Sequence, residues 1–457
     1  MIHRNFARAL VLVQLLAFTC MPAAAAEPKD LKAALDQVRA ETRTPALAAA
    51  IYRDGALVGV GVVGERSIDS HEPATLDDLF PIGSCAKPMA RVVVLRLVDR
   101  GVLTLDAGLA QLLDGVPMRE DYRAVTLRDL MAHRAGIQPY TEIGPRITPI
   151  VFEVQGTAAE QRAKFATHVL SEMPVAKPGS AFAYSNAGFC VIAAVVERKT
   201  AKPWEPVLNE EVFGPLGMNS AANDADEPGK PAITGHIQGP DGLRAARAFP
   251  PLAVMVPAGG GVRMSIADFA AFAAAQADLS AGRPAAGLSQ KTIASMPSIG
   301  PGDAGTGGGA TYGGDGRYTA AFATWPKQRV AIAVACNVGD SDDACTKAIE
   351  AVRAAVAPDI GTINGGGEGP EGAPPADGPR YGFSVKAEAE GTWEIGPVAA
   401  GSIAEKAGLK EGDTVVAING RTLADIPEEE RMPLVRANTL TLTLERGGKT
   451  FDISMKK

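Results

Sequence analysis

The sequence predicts a mixed α/β (α+β) chain of two domains, in which a large block of strands and helices precedes a small strand-rich block. Two apolar runs, residues 46–53 and 56–65, flank an Asp-Gly pair, which is a strong β-hairpin signal. Two further strand patterns, at 318–325 and 330–337, end the first block, and helical patterns fill most of the sequence between the two pairs. A stretch rich in glycine and proline then separates about 80 residues of alternating strand patterns.

Apolar spacing and capping residues define the helices of the first block. Thr126 and Asp129 form a capping pair, and His133 ends that helix, where a structural role at the helix end competes with a catalytic one. Between 296 and 316 the glycines are so dense that no regular element is expected. The predicted helices are 28–42, 84 to 101, 108–113, 126–132, 158–172, one within 181–196, 204–213, 266–278 and 341–356.

The composition excludes some functions and indicates export. The 457 residues carry a formal net charge of −7 without a basic block, so we expect no nucleic-acid partner. Arg4 and Arg8 precede an apolar run, and residues 24–26 offer an Ala-x-Ala cleavage site, so residues 1–26 are predicted to be a signal peptide. No later run reaches the roughly 20 apolar residues of a transmembrane helix. We therefore expect a periplasmic or secreted protein.

Ser84 and Lys87 are the first candidates for chemistry. A serine hydroxyl needs a nearby base to become a nucleophile, and residues three apart share one face of a helix. Ser84 as the helix N-cap would also place its amide at the positive end of the helix. A helix-capping serine with a solvated lysine explains the same pair, and the chain holds a second Ser-x-x-Lys beginning at Ser454. The spacing alone therefore leaves both interpretations open.

Tyr184-Ser185-Asn186 is the second candidate motif, just ahead of an apolar helix about a hundred residues after Ser84. A phenol near a lysine can relay protons, and an amide can hold a substrate carbonyl. No Gly-x-Ser-x-Gly elbow is present, which disfavours an α/β-hydrolase.

These motifs and their flanking sequence resemble the serine β-lactamase and penicillin-binding-protein superfamily, in particular its class C-like and esterase-like branch. The resemblance covers about residues 30 to 357 and includes TLRDLMAHRAG at 126–136, FGPLGM at 213–218 and PAGGG at 257–261. It implies an antiparallel sheet flanked by helices, with a helical lobe and the site in the cleft between them. It also implies that Ser84 is acylated, that Lys87 is its base, that Tyr184 shuttles protons and that Asn186 binds substrate. The implied oxyanion hole combines the Ser84 N–H with one from the strand entered at about residue 317.

The third motif of this superfamily departs from its usual form. A Lys-Thr-Gly or His-x-Gly triplet normally walls the site, whereas the matching place here reads Gly314-Asp315-Gly316, followed by Arg317. The resemblance thus assigns substrate contacts to Gly314, Gly316 and Arg317, although strand alternation points Arg317 away from the two glycines. The missing cation or imidazole argues against carboxylate-bearing substrates, and leaves an uncharged ester or amide, or a weakened enzyme.

The predicted domains are 27–358 for the hydrolase-like block, 359–379 for the linker and 380–457 for the small domain. Residues 399–420 of the small domain resemble a PDZ domain, a small β-barrel module that binds an extended peptide and captures its terminal carboxylate. The resemblance assigns that capture to Tyr381, Gly382 and Phe383. A packing module without a peptide partner is the alternative.

The remaining cysteines and histidines give no metal or cofactor site. Cys336 and Cys345 are nine residues apart, and either a disulfide or two ordinary thiols fits that spacing. Cys85 and Cys190 are predicted to be small core residues. The 5 histidines form no metal-binding motif, so we expect neither metal nor cofactor.

Three hypotheses follow from the sequence. The preferred one is an exported serine hydrolase that forms an acyl-enzyme with an ester or amide. The second is a catalytically weak or inactive relative that acts as a peptide- or partner-binding protein through its cleft or its PDZ-like domain. The third, disfavoured by the ordered set of motifs, is a chance Ser-x-x-Lys in an unrelated α/β domain.

Overall fold

The computed structural model describes residues 27–141, 154–223, 233–239, 242–246, 253–296, 309–363, 383–389, 392–398, 403–426, 434 and 439–456. The predicted signal peptide, most of the predicted linker, Tyr381 and Gly382 lie outside these residues. The α-helices are α1 Lys32–Thr42, α2 Lys87–Asp99, α3 Leu109–Leu112, α4 Leu127–Met131, α5 Ala158–Val169, α6 Asn186–Thr200, α7 Trp204–Leu208, α8 Ile266–Ser280, α9 Gln290–Ala294, α10 Asp342–Val356 and α11 Ile403–Lys406. The strands are β1 Lys29–Asp30, β2 Ala46–Arg53, β3 Ala56–Gly64, β4 Phe80–Pro81, β5 Ala222–Asn223, β6 His236–Gly239, β7 Gly242–Ala245, β8 Val262–Met264, β9 Gly309–Gly314, β10 Thr319–Trp325, β11 Val330–Cys336, β12 Phe383–Ala389, β13 Thr392–Val398, β14 Thr414–Ile418, β15 Arg421–Thr422, β16 Thr439–Arg446 and β17 Lys449–Lys456.

A central sheet organises the first block in the order β1-β3-β2-β11-β10-β9. Its pairs are antiparallel except for β1 with β3, which confirms the predicted mixed fold and both predicted strand pairs. Strand β2 alternates between two cores: Ala46, Ala48 and Ala50 pack on the side of the helical lobe, and Leu47, Ala49 and Ile51 on the side of α1 and α10. Because β2 is buried on both faces, its sequence is a nearly continuous run of apolar residues.

Local signals predicted most helices well. Thr126 and Asp129 make the reciprocal hydrogen bonds of a capping box at the start of α4. The predicted helix at 204–213 consists of α7 followed by a π-helical turn, Asn209–Phe213. The helix after the first motif begins at Lys87 instead of Ser84, because residues Gly83–Ala86 form a separate 3₁₀ turn. Ser84 is therefore not the N-cap of α2, whose cap position is Ala86.

We expected no regular element between 296 and 316. This was wrong for the last part of the segment, where Gly309–Gly314 forms strand β9. The strand pairs with β10 in continuous antiparallel register, from Thr319 opposite Gly314 to Thr324 opposite Gly309. Glycine weakens a strand, but pairing with an already formed neighbour supplies the hydrogen bonds that local propensity does not. As the last strand of the central sheet, β9 leaves its outer edge available to the Ser84 turn.

The C-terminal block has its own core and a sheet in the order β12-β13-β14-β16-β17, with β15 paired to β14. The predicted turn at Asn419-Gly420 is present, with positive φ values of 50° and 78°. We expected a small barrel, but no pairing among the described strands of this block closes the sheet. None of the helices that the structure describes is long and apolar enough to cross a membrane.

Candidate active site

Ser84, Lys87 and Tyr184 lie together in a continuous set of hydrogen bonds. Lys87 Nζ donates to Ser84 Oγ over 2.8 Å, and Ser84 Oγ shares a hydrogen bond of 2.7 Å with Tyr184 Oη. Lys87 Nζ also donates to the Ala258 carbonyl oxygen over 2.9 Å and lies 4.9 Å from the centre of the Tyr184 ring. Lys87 is only 3% exposed. A serine hydroxyl held between two groups that can take and return its proton is arranged for nucleophilic attack.

Backbone from two other segments packs closely on the Ser84 turn. A Cβ atom on Gly259 would lie 1.9 Å from the Gly83 carbonyl oxygen, so no other residue type fits there without moving the backbone. A Cβ atom on Gly313 of β9 would lie 2.4 Å from the Ile82 carbonyl oxygen and 2.7 Å from the Ser84 nitrogen. These glycines allow β9 and the 253–261 segment to approach the serine amide directly.

The residue of β9 that packs on the Ser84 amide is Gly313, one position before the predicted Gly314. Gly313 is buried and Gly314 exposed, as strand alternation requires. A Cβ atom on Gly314 would instead lie 2.7 Å from the Tyr318 carbonyl oxygen. A side chain at position 314 would thus point away from the nucleophile, whereas the Gly314 nitrogen lies against the Ser84 turn, 2.4 Å from where a Cβ atom on Gly83 would be.

Gly316 and Arg317 lie in the turn between β9 and β10. Gly316 has a φ of 77°, which a turn residue of this kind requires. The Asp315 carboxylate accepts from the backbone nitrogen of Arg317 over 3.0 Å and from its guanidinium over 2.5 Å. The Arg317 charge, which the sequence offered as a replacement for the missing cation, is thus neutralised within the turn.

The segment Tyr184–Asn186 is held by the loop that follows α4. Ser185 caps α6, since its Oγ accepts from the Gly188 nitrogen over 3.0 Å. The Asn186 backbone nitrogen donates to the Pro139 carbonyl oxygen over 2.8 Å, and its Nδ2 donates to the Tyr140 carbonyl oxygen over 3.0 Å. Its Oδ1 is buried without a hydrogen-bond partner among the described residues. The predicted substrate-binding amide is thus close to Tyr184, with its donor side already engaged.

The family model of the beta-lactamases matches residues 31–356, which is most of the chain. The chain belongs to the beta-lactamase family. A second family model, that of the PDZ domain, matches residues 374–445. The two matches follow each other in the same order as the two structural blocks.

Proteins similar to this beta-lactamase-family chain include an esterase, a D-aminopeptidase and a class C beta-lactamase. It is 30% identical over 226 residues to the esterase EstB of Burkholderia gladioli, covering 47% of this chain and 56% of the esterase. It is 28% identical over 195 residues to a D-aminopeptidase of Brucella anthropi, covering 42% of this chain and 35% of the aminopeptidase. The match thus spans about half of the esterase and about a third of the aminopeptidase. A class C beta-lactamase structure from Rhodobacter sphaeroides superposes with a TM-score of 0.56 at 19% identity, over 71% of this chain and 98% of that one, which shows a shared fold.

Two buried side chains of this family member lie behind Tyr184 and were not assigned to the site from sequence. The His133 ring stacks on the Tyr184 ring with centroids 4.5 Å apart. Arg91 lies one turn after Lys87 on α2 and donates to the Met131 carbonyl oxygen over 2.9 Å. Burial is the largest effect on Arg91 and lowers its pKa to about 9. The i, i+4 spacing of Lys87 and Arg91 was a usable sequence signal, whereas the contact of His133 was not.

The four cysteines that the structure describes are free and buried. Cys336 at the end of β11 and Cys345 in α10 lie in hydrogen-bond contact, which lowers the pKa of Cys336 and raises that of Cys345. Cys190 sits in the core with its pKa raised to about 12 by burial, and Cys85 is also a core residue. None of the four thiols is exposed for reaction.

Proposed function

We propose that this chain is an exported serine hydrolase that forms an acyl-enzyme with an uncharged ester or amide. The observation that carries the proposal is the position of Ser84 Oγ, 2.8 Å from Lys87 Nζ and 2.7 Å from Tyr184 Oη. Groups within hydrogen-bond reach of a nucleophile can take its proton during attack and deliver it afterwards. The beta-lactamase family match supports the same class of chemistry.

The proposed reaction has two steps. Ser84 Oγ attacks the carbonyl carbon, its proton passes to Lys87 or Tyr184, and the tetrahedral intermediate expels an alcohol or amine that takes up this proton. Water then attacks the acyl-enzyme and gives its proton to the same pair, and Ser84 recovers a proton as the acid product leaves. Both steps use the pair alternately as acceptor and donor, which its two hydrogen bonds to Ser84 permit.

We assign the oxyanion hole to the backbone N–H groups of Ser84 and Gly314. The Gly314 nitrogen lies beside the Ser84 turn, because a Cβ atom on Gly83 would lie 2.4 Å from it. The Asn337 nitrogen donates to the Ala46 carbonyl oxygen, and the continuous registers from β2 through β11 and β10 then make Gly313 a hydrogen-bonded partner of β10, inside the sheet. Alternate residues of an antiparallel strand present their polar groups to opposite edges, so Gly314 presents its N–H to the free edge of β9. Two aligned donors at a developing oxyanion are worth several kcal/mol.

An uncharged substrate is favoured because the wall opposite Ser84 is built from glycine backbone. Gly313 and Gly259 leave no side chain there, and Arg317 is paired with Asp315. Among the described residues of this wall, a substrate carboxylate would therefore find no unpaired cation to replace its lost hydration. The relatives named an esterase and a D-aminopeptidase support esters and amides as the two substrate classes to compare.

The remaining parts of the proposal concern location and partners. The predicted signal peptide at 1–26 supports a periplasmic or secreted protein. The PDZ domain match and the edge position of β12 support binding of an extended peptide C-terminus. Calorimetry with one peptide in free-acid and amidated forms tests this: we expect only the free acid to bind, and equal binding of both would exclude carboxylate capture.

Covalent labelling tests the catalytic proposal. The folded protein is treated with a fluorophosphonate and, separately, with a labelled penicillin, and the adduct is located by mass spectrometry. We expect the fluorophosphonate on Ser84, none in Ser84→Ala, and full labelling in the control Ser454→Ala, which alters the other Ser-x-x-Lys of the chain. A folded protein that neither reagent acylates would instead support the second function, a binding protein.

A further inference from the structure

His133 contacts both the side chain and the backbone of the Tyr184 segment. Its ring stacks on the Tyr184 ring at 4.5 Å with an angle of 22° between the planes. Its Nδ1 accepts a hydrogen bond of 3.1 Å from the Ser185 nitrogen. Its carbonyl oxygen accepts from the Ala183 nitrogen over 2.7 Å. One residue therefore fixes the backbone on both sides of Tyr184 and the plane of its ring.

The hydrogen bond determines the protonation state of the imidazole. A backbone N–H can only donate, so Nδ1 carries the lone pair and the proton of the neutral ring is on Nε2. His133 is 6% exposed, and the charged groups that face it, Arg91 and Lys87, are both positive. Burial first, and these two cations second, lower the pKa of His133 well below its ordinary value. The acceptor is thus retained over the pH range in which free histidine becomes charged.

We propose that His133 is a positioning residue, which holds Tyr184 Oη within hydrogen-bond distance of Ser84 Oγ. The inference rests on the proposed function, in which Tyr184 carries the proton of Ser84. Without the ring the Tyr184 side chain loses the surface that fixes its plane, and without the acceptor the Ser185 N–H loses its partner in a buried site. Either change lets Oη move by a fraction of an ångström, and proton transfer is sensitive to such shifts.

Two variants separate these contributions from general packing. In His133→Asn the Oδ1 atom takes the place of Nδ1, and asparagine tolerates the positive φ of 53° at this position. In His133→Phe the stacked ring stays and the acceptor is lost. We expect fluorophosphonate labelling of Ser84 to slow by about 100-fold in His133→Phe and by less than about 10-fold in His133→Asn, with KM for an ester little changed. Equal rates in the two folded variants would overturn the proposal.

A second measurement does not depend on activity. Nitrogen-15 NMR of the imidazole in the full-length protein distinguishes the two neutral tautomers and the charged ring. We expect the neutral ring with its proton on Nε2 from about pH 8 down to about pH 5. A proton on Nδ1, or a charged ring in this range, would refute the contact. Should wild-type Ser84 remain unlabelled, the proposed function fails, and this spectrum still decides whether His133 holds the Tyr184 segment.

Discussion

Replacing Gly313 by alanine tests how tightly β9 must pack against the nucleophile. The added Cβ atom would lie 2.4 Å from the Ile82 carbonyl oxygen and 2.7 Å from the Ser84 nitrogen. Ordinary van der Waals contact needs about 3.5 Å, so β9 and the Ser84 turn must separate by roughly 1 Å. The two proposed oxyanion donors, the N–H groups of Ser84 and Gly314, lie on either side of this contact. A misplacement of that size, or loss of one donor, costs about 10²- to 10³-fold in rate.

The assay for Gly313→Ala is the second-order rate of Ser84 acylation, measured with thermal unfolding of the same samples. Gly361→Ala is the matched control, because a Cβ atom there meets nothing within 4 Å and the backbone needs no positive φ. We expect the control to match wild type in both measurements. If folded Gly313→Ala is acylated within about 3-fold of the wild-type rate, the assignment of the adjacent Gly314 N–H to the oxyanion hole is wrong.

Four further outcomes are expected. Lys87→Met abolishes Ser84 labelling, yet it raises the free energy of unfolding by about 1 kcal/mol because it removes a buried amine. Urea unfolding measures this change, and a clear loss of stability would contradict the prediction. Gly314→His gives no gain of esterase or β-lactamase activity, because its Cβ atom would lie 2.7 Å from the Tyr318 carbonyl oxygen and the side chain would point away from Ser84. A large gain of activity would refute this orientation of β9. His133 must bind a proton on unfolding below about pH 6.5, since folding lowers its pKa. The wild-type free energy of unfolding therefore falls as the pH drops below that value, by up to about 1.4 kcal/mol per pH unit, and His133→Asn loses this dependence in urea titrations. In the protein without residues 1–26, a thiol reagent labels none of Cys85, Cys190, Cys336 and Cys345 in the native state and all four after denaturation. Two labelled thiols instead would reveal a disulfide between Cys336 and Cys345.

Much of the fold follows from local patterns in the sequence. The apolar run of β2, the Asp54-Gly55 turn and the capping box of α4 are each encoded within a few residues. Such signals need no knowledge of distant partners, because turns and caps satisfy their hydrogen bonds locally. The family-specific motifs added the pairing of Ser84 with Tyr184, which no local signal contains.

The errors fall where the structure depends on distant contacts. Strand β9 is rich in glycine and is formed by pairing with β10, so its residues alone predicted a loop. Which of Gly313 and Gly314 turns its Cα toward Ser84 depends on the register of β9 with β10, because a shift of one residue in a strand exchanges the two faces. The contact of His133 reaches a residue 52 positions away, so its place after α4 could not distinguish a helix-end role from a catalytic one.

The energetic cost of burying Lys87 distinguishes the two main functional hypotheses, a serine hydrolase and a binding protein. Burying the Lys87 amine removes its hydration, and its hydrogen bonds in the described structure go to Ser84 and to the Ala258 carbonyl oxygen. Among the ion pairs of the described residues none includes Lys87, so no carboxylate offsets this cost. A protein that only binds through its cleft or its PDZ domain gains nothing from keeping such a group there, because a methionine of similar length would pack with less loss. A residue that lowers the stability of the fold is expected at a position where that residue is needed for catalysis. The buried lysine thus favours the proposed turnover at Ser84, and under that proposal the glycine backbone opposite Ser84 favours an uncharged substrate carbonyl.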